Sequence, residues 1–158
     1  MALEVQQTVV EAVPLAVVGG WTSLGQLSTA IRGRLDKVYA YLRAGGIAPL
    51  GHNVVVYKAA RGAGPALELL IEVGVQTAAP VSGDGEVVGA ETPAGPVALA
   101  AHIGPYDGIA ATGRSVEARI AALGLKRAGV SWEVYGDWEE DTAKLRTDLY
   151  YLLGAAAR

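Results

Sequence analysis

Ile109-Ala110-Ala111-Thr112-Gly113-Arg114-Ser115-Val116-Glu117-Ala118-Arg119-Ile120-Ala121-Ala122-Leu123 spaces Ile109, Thr112, Val116, Ile120 and Leu123 three or four positions apart, which sets them on one helical face. Leu24, Leu27, Ile31, Leu35 and Val38 repeat that spacing at a constant offset of about 85. Leu42 extends the earlier stripe toward a stop at Gly45-Gly46, and Ser23 is a candidate cap at its start. Two helices of one pattern point to a duplication, and each apolar stripe needs a sheet to bury against.

Strands are read on both sides of each helix. Leu3 to Val10 and Pro14 to Val18 are apolar and β-branched, broken at Val13-Pro14 and ended by Gly19-Gly20. Asn53 to Lys58 and Leu67 to Val75 follow the helix, joined by the turn Arg61-Gly62-Ala63-Gly64-Pro65. The second half repeats the order: Glu86 to Thr92, a break at Pro93-Ala94-Gly95-Pro96, Val97 to His102, the helix, and strands around Trp132-Glu133-Val134-Tyr135 and after Leu145. Val56-Tyr57 matches Val134-Tyr135 and Glu68-Leu69 matches Asp148-Leu149, at offsets of about 78 and 80. The expected architecture is a single α+β domain over residues 1–158, with repeat one at about 1–76, repeat two at about 85–153, and Gln76 to Gly85 between them. Duplicated β-α-β-β units with pseudo-twofold symmetry would build a mainly antiparallel sheet, with two helices packed on one face and a central cleft for a ligand.

Composition removes several function classes. The 158 residues are 51% apolar, ample for a core, and a net charge of -3 gives no basic field to attract phosphate backbones. No direct nucleic-acid partner is expected. The absence of cysteine rules out disulfides, thiolate metal sites and thiol nucleophiles, and fits a reducing compartment. Met1-Ala2-Leu3-Glu4-Val5 has no basic n-region, and no long uninterrupted apolar run follows. The expectation is a soluble, cytoplasmic chain with no membrane partner. With no DNA-binding module ahead of the domain, regulation would need a partner protein.

Glu133 stands out because it lies among aromatic and β-branched residues in the second copy only. A carboxylate taken out of water must be hydrogen-bonded, protonated or matched by a cation. Strand alternation puts Glu133 and Tyr135 on one side and Trp132 and Val134 on the other. His102 and His52 lack ligand spacing to other donors, so no metal and no cofactor is expected. No nucleophile elbow occurs, and Gly62-Ala63-Gly64 and Gly83-Asp84-Gly85 read as hairpin turns. Asp137-Trp138-Glu139-Glu140-Asp141 reads as a solvated loop, with partner docking as the alternative.

Three runs, in order and spacing, give the chain a family resemblance: His102-Ile103-Gly104-Pro105-Tyr106-Asp107, Trp132-Glu133-Val134-Tyr135-Gly136-Asp137, and Leu145-Arg146-Thr147-Asp148-Leu149. The chain resembles the GyrI-like (gyrase-inhibitor-like) small-molecule-binding domains, which also serve as effector domains of multidrug-responsive regulators. The resemblance implies an aromatic-lined pocket, a glutamate at position 133, and lipophilic, often cationic or aromatic ligands. It implies two alternatives as well. One is hydrolysis of cyclopropane-bearing alkylators with Glu133 and Tyr135 as catalytic candidates, and the other is a protein partner, a regulator or DNA gyrase. Trp138 stands where the family usually has a proline.

The candidate ligand-binding residues are Glu133, Tyr135, Tyr106, Trp21, Trp132, Trp138, Tyr39, Tyr57 and Tyr150. Their rings would supply apolar area, and cation–π attraction of roughly 0.5 to 2 kcal/mol each. Tyr106 and Trp21 stand at corresponding points of the two copies, and each has plain packing as its alternative role. Tyr39 borders the apolar stripe, and Trp138 reads as a lid or as surface.

Overall fold

The computed structural model describes residues 3–154. Its elements are β1 (Gln6–Val10), β2 (Pro14–Ser23), α1 (Leu27–Ala44), β3 (Pro49–Arg61), β4 (Glu68–Thr77), β5 (Val88–Glu91), β6 (Gly95–Ile103), α2 (Ile109–Ala122), β7 (Arg127–Tyr135) and β8 (Arg146–Leu153). Every helix and strand expected from sequence is present. The fold is α+β, and all the strand pairs within its two compact units are antiparallel.

The first unit is Ala12–Thr92, and the second joins the N-terminal segment up to Glu11 to the chain from Pro93 onward. The first orders its strands β3-β4-β2-β5 under α1, and the second β7-β8-β6-β1 under α2. The two orders are the same. The leading strand of each repeat pairs outside its own repeat: β1 lies beside β6, and β5 beside β2. The breaks at Pro14 and Pro93 allow this, since proline resists continuing a strand's hydrogen-bonded ladder. Thr92 closes the first unit by donating its N–H to the Val13 carbonyl at 3.0 Å and accepting the Val13 N–H on its hydroxyl at 3.0 Å.

Each helix buries one stripe on its sheet. Val38 and Leu42 pack with Ala16, Val18, Val75 and Val87 in the first unit, and Val116 and Ile120 with Ala98, Ala100, Leu149 and Tyr151 in the second. Aligned on these buried residues the helices correspond at an offset of 78, which is 7 less than the 85 read from the stripes. Seven residues are nearly two turns, so the apolar pattern matches itself at either offset.

Local readings are corrected at three places. β2 runs through Gly19-Gly20 to Ser23, because both glycines keep backbone partners in Glu72 and Ile71. Leu24 begins a short 3-10 turn and is exposed, so α1 starts only at Leu27, and Ser23 makes no side-chain cap. β1 is shorter than expected, beginning at Gln6. Among the described residues no helix is long and apolar enough to cross a membrane.

Candidate ligand-binding site

Register decides which way Glu133 points. Glu133 lies opposite Leu149 and Tyr135 opposite Thr147, while Leu149 and Thr147 lie opposite Ala100 and His102 on the far side of β8. Directly paired residues share a face, and Ala100 and Leu149 pack under α2. Glu133, Tyr135, Thr147 and His102 therefore all stand on the helix-bearing face. Glu133 is only 8% exposed, a burial rare for a carboxylate.

Tyr135 is the carboxylate's neighbour along this face. Its pKa is pushed well above the ordinary tyrosine value, first by burial and then by the charge of Glu133. A phenol so placed stays protonated and remains a donor. Tyr106 meets the Tyr135 ring edge-on, with centroids 5.6 Å apart and planes at 85°. At 42% exposure it is the open member of the group.

His102 holds the turn that carries Tyr106. Its Nε2 is 2.8 Å from the Pro105 carbonyl, which can only accept, so the ring proton sits on Nε2. Nδ1 is then the acceptor for the Thr112 hydroxyl at 2.7 Å. Gly108 has to be small here, since a Cβ on it would lie 2.9 Å from the His102 ring. These bonds give His102 a structural role in the turn.

Two aromatic candidates lie on the opposite face of the same sheet. Trp132 and Tyr150 are cross-strand partners with rings stacked 5.1 Å apart at 1°, so each covers a face of the other. They do not join Glu133. Burial, then the Asp148 charge, raises the pKa of Tyr150, with Arg146 opposing. Trp138 is 69% exposed, in the irregular stretch after β7. Beyond it Asp141 caps a 3-10 turn by accepting the Ala143 N–H, so part of the acidic run shapes the loop.

The remaining candidates belong to the first unit. Trp21 lies under the Arg61 guanidinium at 3.9 Å, and Arg61 is held in turn by Glu68 at 3.0 Å. That ring face already has a cation on it. Tyr39 donates to Asn53 Oδ1, and burial raises its pKa. Tyr57 lies opposite Ile71, as Tyr135 lies opposite Thr147, so the strands correspond residue by residue. By that register the first unit has Val55 at the position of Glu133, and Gly20 and Ile71 at those of His102 and Thr147. The acidic site is built once.

Thr147 was not singled out as a site residue in the sequence. Its hydroxyl is fully buried and has no hydrogen-bond partner among the described residues. A strand threonine is ordinary in sequence, and only the register brings it beside Tyr135. No group of three or more His, Asp or Glu that could hold a metal ion occurs among the described residues.

The model of the GyrI-like small molecule binding domain matches residues 55–153, which carry the whole of this site. The chain belongs to the GyrI-like family. Among solved structures, the EcmrR C-terminal domain is similar at 13% identity and TM-score 0.80, over 98% of this chain and 99% of that one. In a complex of EcmrR with DNA, this GyrI-like chain covers only 57% of the EcmrR chain's length, at TM-score 0.81 over 95% of its own and 13% identity. SAV2435, bound to tetraphenylphosphonium, is similar at 11% identity and TM-score 0.66, over 97% of this chain and 95% of that one. A hydrolase from Listeria innocua follows at 13% identity and TM-score 0.63, over 96% and 92%. Identities this low establish the GyrI-like fold alone. A sequence search of curated proteins finds no match.

Proposed function

We propose that this chain binds lipophilic, often cationic or aromatic small molecules against the α2-bearing face of its second unit, with Glu133 as the counter-charge and Tyr106 and Tyr135 as contacting rings. The observation that carries this reading is a carboxylate kept 8% exposed, with the buried Tyr135 beside it feeling its charge. Shielded from solvent, that negative charge attracts a cation far more strongly than a surface carboxylate would. A tyrosine that turns its ring face to the cation adds further attraction, because the negative potential of the ring lies over its face.

Tetraphenylphosphonium, the ligand of the SAV2435 structure, is a suitable first probe. Calorimetric titration should give micromolar-range binding, weakened about tenfold or more by Glu133→Gln. Equal affinity in wild type and variant would remove Glu133 from the site.

Hydrolysis is the second reading, since a carboxylate beside a protonated tyrosine sets a general base near a donor. The raised pKa of Tyr135 makes it a weak proton source at neutral pH, which favours binding. Catalytic amounts of protein incubated with a cyclopropane-bearing alkylator separate the two, because only a hydrolase yields ring-opened product that Glu133→Gln abolishes.

A further inference from the structure

Thr147 is the polar group on this face that the binding site as described does not use. Its hydroxyl is fully buried and has no hydrogen-bond partner among the described residues, a costly state that proteins rarely keep without a role. Its neighbours in the cross-strand row offer it nothing. His102 has Nδ1 committed to Thr112 and Nε2 to Pro105, and Tyr135, opposite on the other side, does not bond the Thr147 hydroxyl either. A hydroxyl both donates and accepts, so it suits a ligand hydroxyl, carbonyl or amine equally.

We infer that Thr147 is the specificity-determining residue of the site, hydrogen-bonding a polar substituent on the ligand's aromatic body beside the Glu133 counter-charge. The inference rests on the binding function proposed above. The preferred ligand class is then an amphiphilic aromatic cation carrying a hydroxyl, carbonyl or amine, and a bare hydrocarbon cation leaves Thr147 unsatisfied. Access requires a side chain to move. Tyr106 is placed for that, being partly exposed and standing on a short 3-10 turn, Tyr106–Gly108.

The test uses matched probes: tetraphenylphosphonium and its three mono-hydroxyphenyl isomers, titrated against wild type, Thr147→Val and Thr147→Ser. One isomer should bind wild type about tenfold more tightly than the parent cation. Thr147→Val should erase that preference while leaving the parent's affinity unchanged, and Thr147→Ser should keep it. Without ligand, Thr147→Val should melt higher than wild type, because it removes an unpaired buried hydroxyl at nearly constant shape. An isomer preference that survives Thr147→Val, or its absence in wild type, overturns the assignment while leaving cation binding intact. Failure of every probe to bind wild type sinks the binding function itself. A lower melting temperature in Thr147→Val would show that the hydroxyl is already satisfied within the protein, and would overturn the inference by that route.

Discussion

At the scale of single residues, the pairing of Tyr135 with Glu133 makes a prediction that needs no ligand. Tyr135 has a raised pKa in the folded chain and an ordinary one near 10 when unfolded, so the folded state holds its proton more tightly. Its contribution is complete below pH 10 and is lost as the pH climbs from there toward the folded value. Denaturant midpoints should therefore fall between pH 9 and pH 11, and Tyr135→Phe should flatten the fall by up to about 1.4 kcal/mol per pH unit. Tyr151, pushed up to about 12 by burial and then by Glu117, adds a slope of the same sign that ends sooner, as the pH passes 12. A Tyr135→Phe profile as steep as wild type would refute this account of the tyrosine. Glu133 and Tyr135 were legible in sequence because an acid among strand formers breaks a local pattern. Thr147 was not, since threonine is a natural strand residue and its isolation depends on three strands meeting in register.

Helices and strands carry the constraints of the next scale. Gly74 lies mid-strand in β4, between Val17 and Val54, and a Cβ there would lie 1.7 Å from the Ala16 carbonyl oxygen. Backbone cannot yield as a side chain can, so Gly74→Ala should cost about 3 kcal/mol or more, read from a thermal melt. A variant melting within a few degrees of wild type would mean that β2 and β4 can separate locally. The helices show how one plan is finished in two ways. Arg34 of α1 donates to the carbonyls of Gly20 and Ile71 at 3.1 and 3.3 Å, and Thr112, its counterpart at the offset of 78, binds His102 instead. Burial lowers the Arg34 pKa against the pull of Glu86, but a guanidinium keeps its charge. Helix and strand periods could be read from the chain because they are set by local geometry. The offset could not, since a stripe of period near 3.5 looks alike after a shift of seven.

Over the whole molecule, the duplication gives one framework two contents. The position of Glu133 in the second unit is Val55 in the first, so the proposed cation site would meet a single buried carboxylate of this kind among the described residues. Calorimetry with tetraphenylphosphonium should give one site per chain, abolished or weakened by Glu133→Gln, and two equivalent sites would contradict the asymmetry. The sequence by itself determined the α+β class, the two β-α-β-β repeats, the family, and the glutamate that only one repeat carries. Those follow from periodicity and residue type, which act over a few positions of chain. Tertiary structure alone decided that β1 and β5 each complete the sheet of the other repeat's unit, that Glu133 and Tyr135 stand on the α2-bearing face while Trp132 and Tyr150 stack on the opposite one, and that Thr147 is left without a partner. Each of these turns on strand register, and because side chains alternate along a strand, one step of register exchanges the buried face for the other.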